Sequence, residues 1–205
     1  MPKDVKDLAA SRREEIVNAC ETLYKTKSFK DITIKDIGGA TTFTRTSVYN
    51  YFETKEEIFL ALLTREYLLW VSDLQTLLGE SVLSRKEYAE ALARSLQARP
   101  VMLKLLSVNM YEIEGNSRIE RLTEFKKAYG AAIKAISQSF VKSFPERGER
   151  GAESFVYSFF PFLFGIYPYT NATEKQKAAM DAAGVKYAAF SAFDLAYNAV
   201  IKLLQ

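Results

Sequence analysis

Apolar residues along this chain recur three and four positions apart and never alternate with polar ones over a useful length. That period puts them on one side of a helix, so the pattern predicts an all-α chain. Ile16, Cys20, Leu23 and Tyr24 form the first stripe, with Ser11 and Glu14 spaced as a capping box near its start and an end around residues 27–28. Phe29 and Ile32 plug the core from the loop that follows. Thr33 with Asp36 opens a short second helix whose Ile34 and Ile37 face inward, and the run Gly38, Gly39, Ala40, Thr41, Thr42 ends it. Phe43 belongs to the next turn. Thr44 caps a third helix over about 45–52. Thr54 with Glu57 starts a fourth, which carries Ile58, Phe59, Leu62, Leu63, Leu69 and Trp70 to about Leu78 before Gly79 stops it.

Further starts follow at Ser84 with Glu87, at Pro100 (a helix to about 112), at Ser117 with Glu120 (to about 144), at about 147, and at Thr173 with Gln176. Pro161 should kink the helix over 147–167. Gly184 should break the next, leaving a last helix over about 185–204. Nine or ten helices without an internal repeat result, with a small N-terminal module over 1–54 and a larger one over 55–205.

The most apolar stretch, 155–169, carries no charge, yet it is shorter than the ~18–20 residues that cross a bilayer. It also contains Pro161, Gly165 and Pro168, so it reads as a buried helix and no membrane partner is expected. The N-terminus has no apolar region after its lysines and predicts a cytoplasmic protein. One cysteine and no histidine exclude an intrachain disulfide, histidine triads and histidine-bound zinc. Cys20 sits on the apolar stripe, which suits a core thiol, with a redox or ligand role as the alternative. Neither a cofactor nor an enzymatic centre is expected.

Net charge is only +3, but residues 25–55 hold six bases against three acids, which accounts for the whole excess; residues 1–55 together carry +2. Three short helices followed by a long one make a helix-turn-helix layout, in which the second helix of the pair enters the major groove of DNA. Ile34, Ile37, Phe43, Val48 and Phe52 form the inner side. Arg45 can give two hydrogen bonds to guanine. Thr46, Ser47 and Asn50 can reach bases or phosphates, and Tyr49 offers a hydroxyl and a ring. Thr33 and Thr44 stand at helix N-termini, which attract phosphate. Lys35 and Lys55 can hold the flanking backbone.

The segments IVNACETLYKTKSFKDITIKDI and FTRTSVYNYFETKEEIF resemble the N-terminal domain of TetR-family transcriptional regulators over about residues 10–60. By that resemblance the contacts to an operator in double-stranded DNA fall on Thr33, Lys35, Thr44, Arg45, Thr46, Ser47, Tyr49, Asn50, Tyr51 and Lys55. Thr41 and Thr42 stand where the family usually has Ala-Gly, so the turn should differ or carry strain. Thr46 stands where the family often has Gly.

The resemblance further implies a homodimer built from the last two long helices, here about 147–167 and 185–204. The second presents the small face of Val185, Ala188, Ala189, Ala192, Leu195, Ala196, Ala199 and Leu203. It also implies a small apolar or aromatic effector. Trp70, Met102, Met110, Tyr111, Phe125, Tyr129, Phe155, Phe159, Phe162, Phe164 and Tyr167 offer the surface for one, and each could equally be core. A homodimeric repressor released from a palindromic operator is the leading reading. A regulator without an effector, an activator, or a helical carrier or enzyme with a degenerate helix-turn-helix stay open.

Overall fold

The computed structural model describes the backbone of residues 3–79 and 81–205, and side chains from Leu8 onward apart from those of Arg45 and Glu80. Among the described residues there are eleven α-helices, one 3-10 turn and no strand. In chain order they are α1 (Lys3–Thr26), α2 (Ile34–Gly39), α3 (Arg45–Val48), α4 (Lys55–Leu78), α5 (Arg85–Gln97), α6 (Pro100–Leu106), α7 (Met110–Gly115), α8 (Ile119–Ser143), α9 (Gly148–Thr170), α10 (Glu174–Ala182) and α11 (Ala192–Leu203), with the 3-10 turn at Pro145–Arg147. None of the described helices is long and apolar enough to cross a membrane.

Packing divides the chain into two units. The first is Met1–Glu66 with Val108–Lys127, the second Tyr67–Ser107 with Ala128–Gln205. Compactness therefore does not break at residue 54: the first turns of α4, all of α7 and the start of α8 pack with the N-terminal helices.

In the first unit α1 buries Ile16, Cys20 and Tyr24, and the elements after it bury Ile32, Ile37, Val48, Phe52, Ile58 and Phe59, all essentially inaccessible. The Phe59 ring lies edge-on to Tyr24 at 5.2 Å and to Phe29 at 4.7 Å, so Phe29 and Ile32 plug the core from the loop. Burial pushes the Cys20 thiol far above its usual range and makes it a packing residue. Arg65 on α4 ties down α1 by reaching Glu14, Asn18 and Glu21, each at 2.6 Å.

The second unit buries a continuous aromatic seam. Tyr88 meets Phe144 at 5.3 Å, Phe140 meets Phe155 at 5.1 Å, and Phe155 stacks on Phe159 at 5.4 Å. Its buried polar groups are paired: Trp70 Nε1–H donates to Ser95 Oγ at 2.9 Å, and the Tyr88 hydroxyl lies 3.1 Å from the Ile136 carbonyl. α11 packs against α5 and α9.

Several boundaries differ from the sequence pattern. α1 begins at Lys3 and runs through the supposed cap at Ser11. The helix expected over 100–112 is two, α6 and α7, separated at residues 107–109. α9 is not interrupted at Pro161 and continues through Pro168 as well. Both prolines are exposed, as is Tyr157, whose carbonyl loses its partner at Pro161 and can be hydrated instead. The last helix begins at Ala192 rather than 185. Gly184 at φ +67 closes α10, and Ser191 with Asp194 forms a capping box that starts α11, so Val185, Ala188 and Ala189 lie outside any helix. That box is legible in the sequence as Ser-x-x-Asp.

Candidate nucleic-acid interface

The helix-turn-helix is assembled around three buried residues, Ile37 on α2, Val48 on α3 and Phe52 just beyond it. α3 is shorter than the 45–52 expected. After Val48 its hydrogen bonds tighten, Asn50 N–H to Ser47 O at 3.3 Å and Tyr51 N–H to Val48 O at 3.0 Å, so 49–51 form a turn that delivers Phe52 to the core. With Val48 and Phe52 pinned inward, Thr44, Thr46, Tyr49 and Asn50 are exposed and Ser47 and Tyr51 half-buried. The Arg45 side chain lies outside the described residues.

The turn before α3 takes a form that the two threonines tolerate. No described non-glycine residue has positive φ, so the left-handed strain foreseen at Thr41 and Thr42 does not arise. Ala40, at φ −99 and ψ 7, ends α2. The Thr41 hydroxyl lies 2.8 Å from the Gly38 carbonyl and 3.1 Å from that of Phe43, while Thr42 N–H donates to the Glu15 carboxylate at 2.5 Å. Glu15 on α1 thus fixes the turn, a role the sequence did not signal.

The three threonine caps behave differently. Thr33 caps α2 as expected: its hydroxyl accepts from Asp36 N–H at 3.2 Å, and its own N–H and hydroxyl donate to the Asp36 carboxylate at 2.9 and 2.6 Å. Those bonds from Thr33 hold Asp36 below the usual carboxylate range, and they commit the Thr33 N–H to it rather than to phosphate. Thr44 precedes α3 but makes no side-chain cap bond; its hydroxyl lies 3.1 Å from that of Ser47. Thr54 completes only half a box. It accepts from Glu57 N–H at 3.2 Å and donates to the Asn116 carbonyl at 2.9 Å.

The Glu57 carboxylate turns instead to Arg118, whose Nε and Nη2 donate at 2.6 and 2.8 Å; the N–H groups of Arg118 and Glu53 add bonds at 3.1 and 2.9 Å. Burial opposes ionisation of Glu57, but these bonds outweigh it and hold the group at about 2. Arg121 donates to the Tyr51 carbonyl at 3.3 Å and pairs with Glu124, which also pairs with Arg13. The start of α8 therefore anchors the chain just after the recognition turn.

Lys35 is exposed. Lys55 is half-buried, with its ammonium donating to the carbonyls of Phe29 and Ile32 at 3.0 and 3.3 Å and lying 4.3 Å from the Phe29 ring centre. It braces the α1–α2 loop, which the sequence reading did not foresee. One proton of the three remains for another acceptor.

An exposed polar face on a short, core-pinned second helix, beside a lysine at the next helix start, is the arrangement that bacterial repressors present to DNA. Residues 16–62 match the family described as bacterial regulatory proteins, tetR family, and residues 64–204 match tetracyclin repressor-like, C-terminal domain. The chain belongs to the TetR family of transcriptional regulators.

A curated relative from Bacillus subtilis (strain 168), the uncharacterized HTH-type transcriptional regulator YfiR, is 40% identical over 58 residues; the match spans 28% of this chain and only 28% of that relative. A putative TetR-family transcriptional regulator from Mesorhizobium loti MAFF303099 has the same fold at 16% identity, with TM-score 0.59 over 96% of both chains. A TetR transcriptional regulator from Rhodococcus sp. RHA1 follows at 13% identity and TM-score 0.56 over 97% of both. The fold is thus that of TetR-family regulators: an N-terminal helix-turn-helix followed by a larger helical domain.

The aromatic residues singled out for an effector are not brought together as one wall. Met110, Tyr111 and Phe125 belong to the first packing unit, where Tyr111 is 93% exposed and Phe125 is buried. In the second, Trp70, Met102, Phe155 and Phe159 are fully packed as core, while Phe162 and Tyr167 are half-buried. Tyr129 and Phe164 line a cavity of about 580 Å³ with Ile133, Val156, Tyr157, Phe160 and Pro161. Helical spacing is the same for a core ring and a cavity ring, so only packing separates them.

Proposed function

We propose that this TetR-family regulator is a homodimeric repressor acting in the cytoplasm, released from a palindromic operator by a small, largely apolar effector. Residues 1–54, together with Lys55 at the start of α4, carry the DNA contacts, and the rest of 55–205 the dimer and effector surfaces. The observation that carries the DNA reading is the four-residue α3, with Val48 inaccessible beneath it and Thr44, Thr46, Tyr49 and Asn50 exposed. Arg45, Thr46, Ser47, Tyr49 and Asn50 meet the major groove, and Lys35, Thr44, Tyr51 and Lys55 meet flanking phosphates, while Thr33, with both its donors on Asp36, holds the N-terminus of α2.

Support for the dimer comes from α9. Tyr157, Pro161, Phe164 and Pro168 form an exposed stripe, and no charged residue occurs between Glu153 and Glu174. Half-buried Leu195 of α11, which lines one pocket with Pro168, extends it. One recognition helix reads few base pairs, and a two-fold axis doubles the site. The cavity beside Pro161 adjoins this stripe, so an effector there acts on the dimer directly, and operator DNA must weaken effector binding by the same factor.

Selection of bound sequences from random duplex DNA at near-physiological salt tests the reading. A palindromic consensus is the expected result; no enrichment would overturn it.

A further inference from the structure

A second cleft of the larger packing unit lies between α4 and α8 and shares no residue with the cavity beside Pro161. It encloses about 520 Å³, within the range of about 300–1,000 Å³ that small-molecule sites occupy. Its origin is in the sequence. α8 presents Ala131 and Ala135, one turn apart, where α4 presents Val71, Leu74 and Leu78. Two methyl groups on a seam of large aliphatic residues leave the space between the helices unfilled.

The wall of α8 that lines this space also carries Lys134 and Lys142, about 12 Å apart along the helix axis, with Gln138 between them. Among the described residues no acid lines the cleft. Neither lysine has an ion-pair partner among the described residues, whereas Arg94, Arg99 and Lys177 of the same unit are paired with Glu90, Asp73 and Glu174. Two ammonium groups with no ion-pair partner among the described residues, beside an aliphatic floor, complement a molecule that is anionic at its head and apolar along its body.

We propose that the α4/α8 cleft binds an aliphatic carboxylate of medium chain length. Its chain lies on Val71, Leu74, Ala131 and Ala135, and its carboxylate takes charge-assisted hydrogen bonds from Lys134 or Lys142. The site is separate from the effector cavity beside Pro161 and does not depend on it.

Calorimetric titration of the full-length protein with decanoate below its micellar concentration, against decan-1-ol, tests the assignment. Decanoate should bind saturably, one per chain, and about three- to fivefold more tightly than the alcohol, the contribution of one exposed charge pair. The double variant K134M/K142M should bring the two probes to equal affinity; both lysines are exposed, so the fold is retained. Ala135→Leu, which narrows the aliphatic floor of the cleft, should weaken binding of both while leaving the melting temperature unchanged or higher. Absence of saturable decanoate binding, equal affinity of the unsubstituted protein for both probes, or undiminished binding in the correctly folded Ala135→Leu variant would overturn it. Binding is read on the protein alone, so the outcome is independent of operator release.

Discussion

Glu57 and Arg118, sixty-one residues apart in sequence, form the bond that anchors the chain leaving the recognition turn. The Glu57 side chain is wholly buried, and Arg118 grips both of its oxygens, Oε1 from Nε at 2.6 Å and Oε2 from Nη2 at 2.8 Å. Arg118 also pairs with Glu53 at 3.0 Å. A carboxylate taken out of water is tolerable only while its partners hold, so this pair specifies position more than it adds stability.

Arg118→Ala should cost about 2–3 kcal/mol in urea unfolding, below the ~3–5 kcal/mol of a fully buried pair because the arginine is 39% exposed. Arg118→Lys restores the charge without the two-pronged geometry and should recover only part of the loss. A change under about 0.5 kcal/mol in the alanine variant would show that water replaces the guanidinium without cost.

Acid should dissolve the same contact. Glu57 titrates at about 2 in the folded chain, below its ordinary 4.5. The stabilisation is therefore complete above about pH 4.5 and is lost as pH falls towards 2, amounting to at most about 3 kcal/mol. Unfolding free energies across that window should fall more steeply in the unsubstituted protein than in Glu57→Gln. Parallel curves would refute the assignment.

Arg45→Ala and Lys55→Ala should separate selectivity from general affinity. The first should lose about 1–3 kcal/mol of discrimination between the selected operator and random duplex. The second should weaken binding to all sequences, lower the salt slope by about one unit, and cost about 1–2 kcal/mol of stability through the lost bonds to Phe29 and Ile32. Salt-series binding with both duplexes distinguishes them; identical behaviour of the two variants would argue against these roles.

Tyr157→Glu and Phe164→Glu place charges on the exposed stripe of α9, where the native residues are 74% and 40% exposed. Sedimentation velocity should show a folded monomer that no longer binds a palindrome tightly. A dimer that survives both changes would move the interface elsewhere.

What the residues alone disclosed concerns neighbours within about four positions. The boxes at Thr33 with Asp36, Ser84 with Glu87 and Thr173 with Gln176 form as read, and Gly79 and Gly184 end their helices at φ +40 and +67. Caps and helical periodicity are local interactions, so sequence determines them, and with them the all-α class and the helix-turn-helix that marks the family. Tertiary structure decided the rest: that Glu57 leaves its local box for Arg118, that Lys55 braces the loop at Phe29 and Ile32, and that Trp70, Met102, Phe155 and Phe159 are core while Tyr129 and Phe164 border a cavity. Each depends on which distant side chain fills or vacates the space opposite, a property of packed helices that no spacing within one of them encodes.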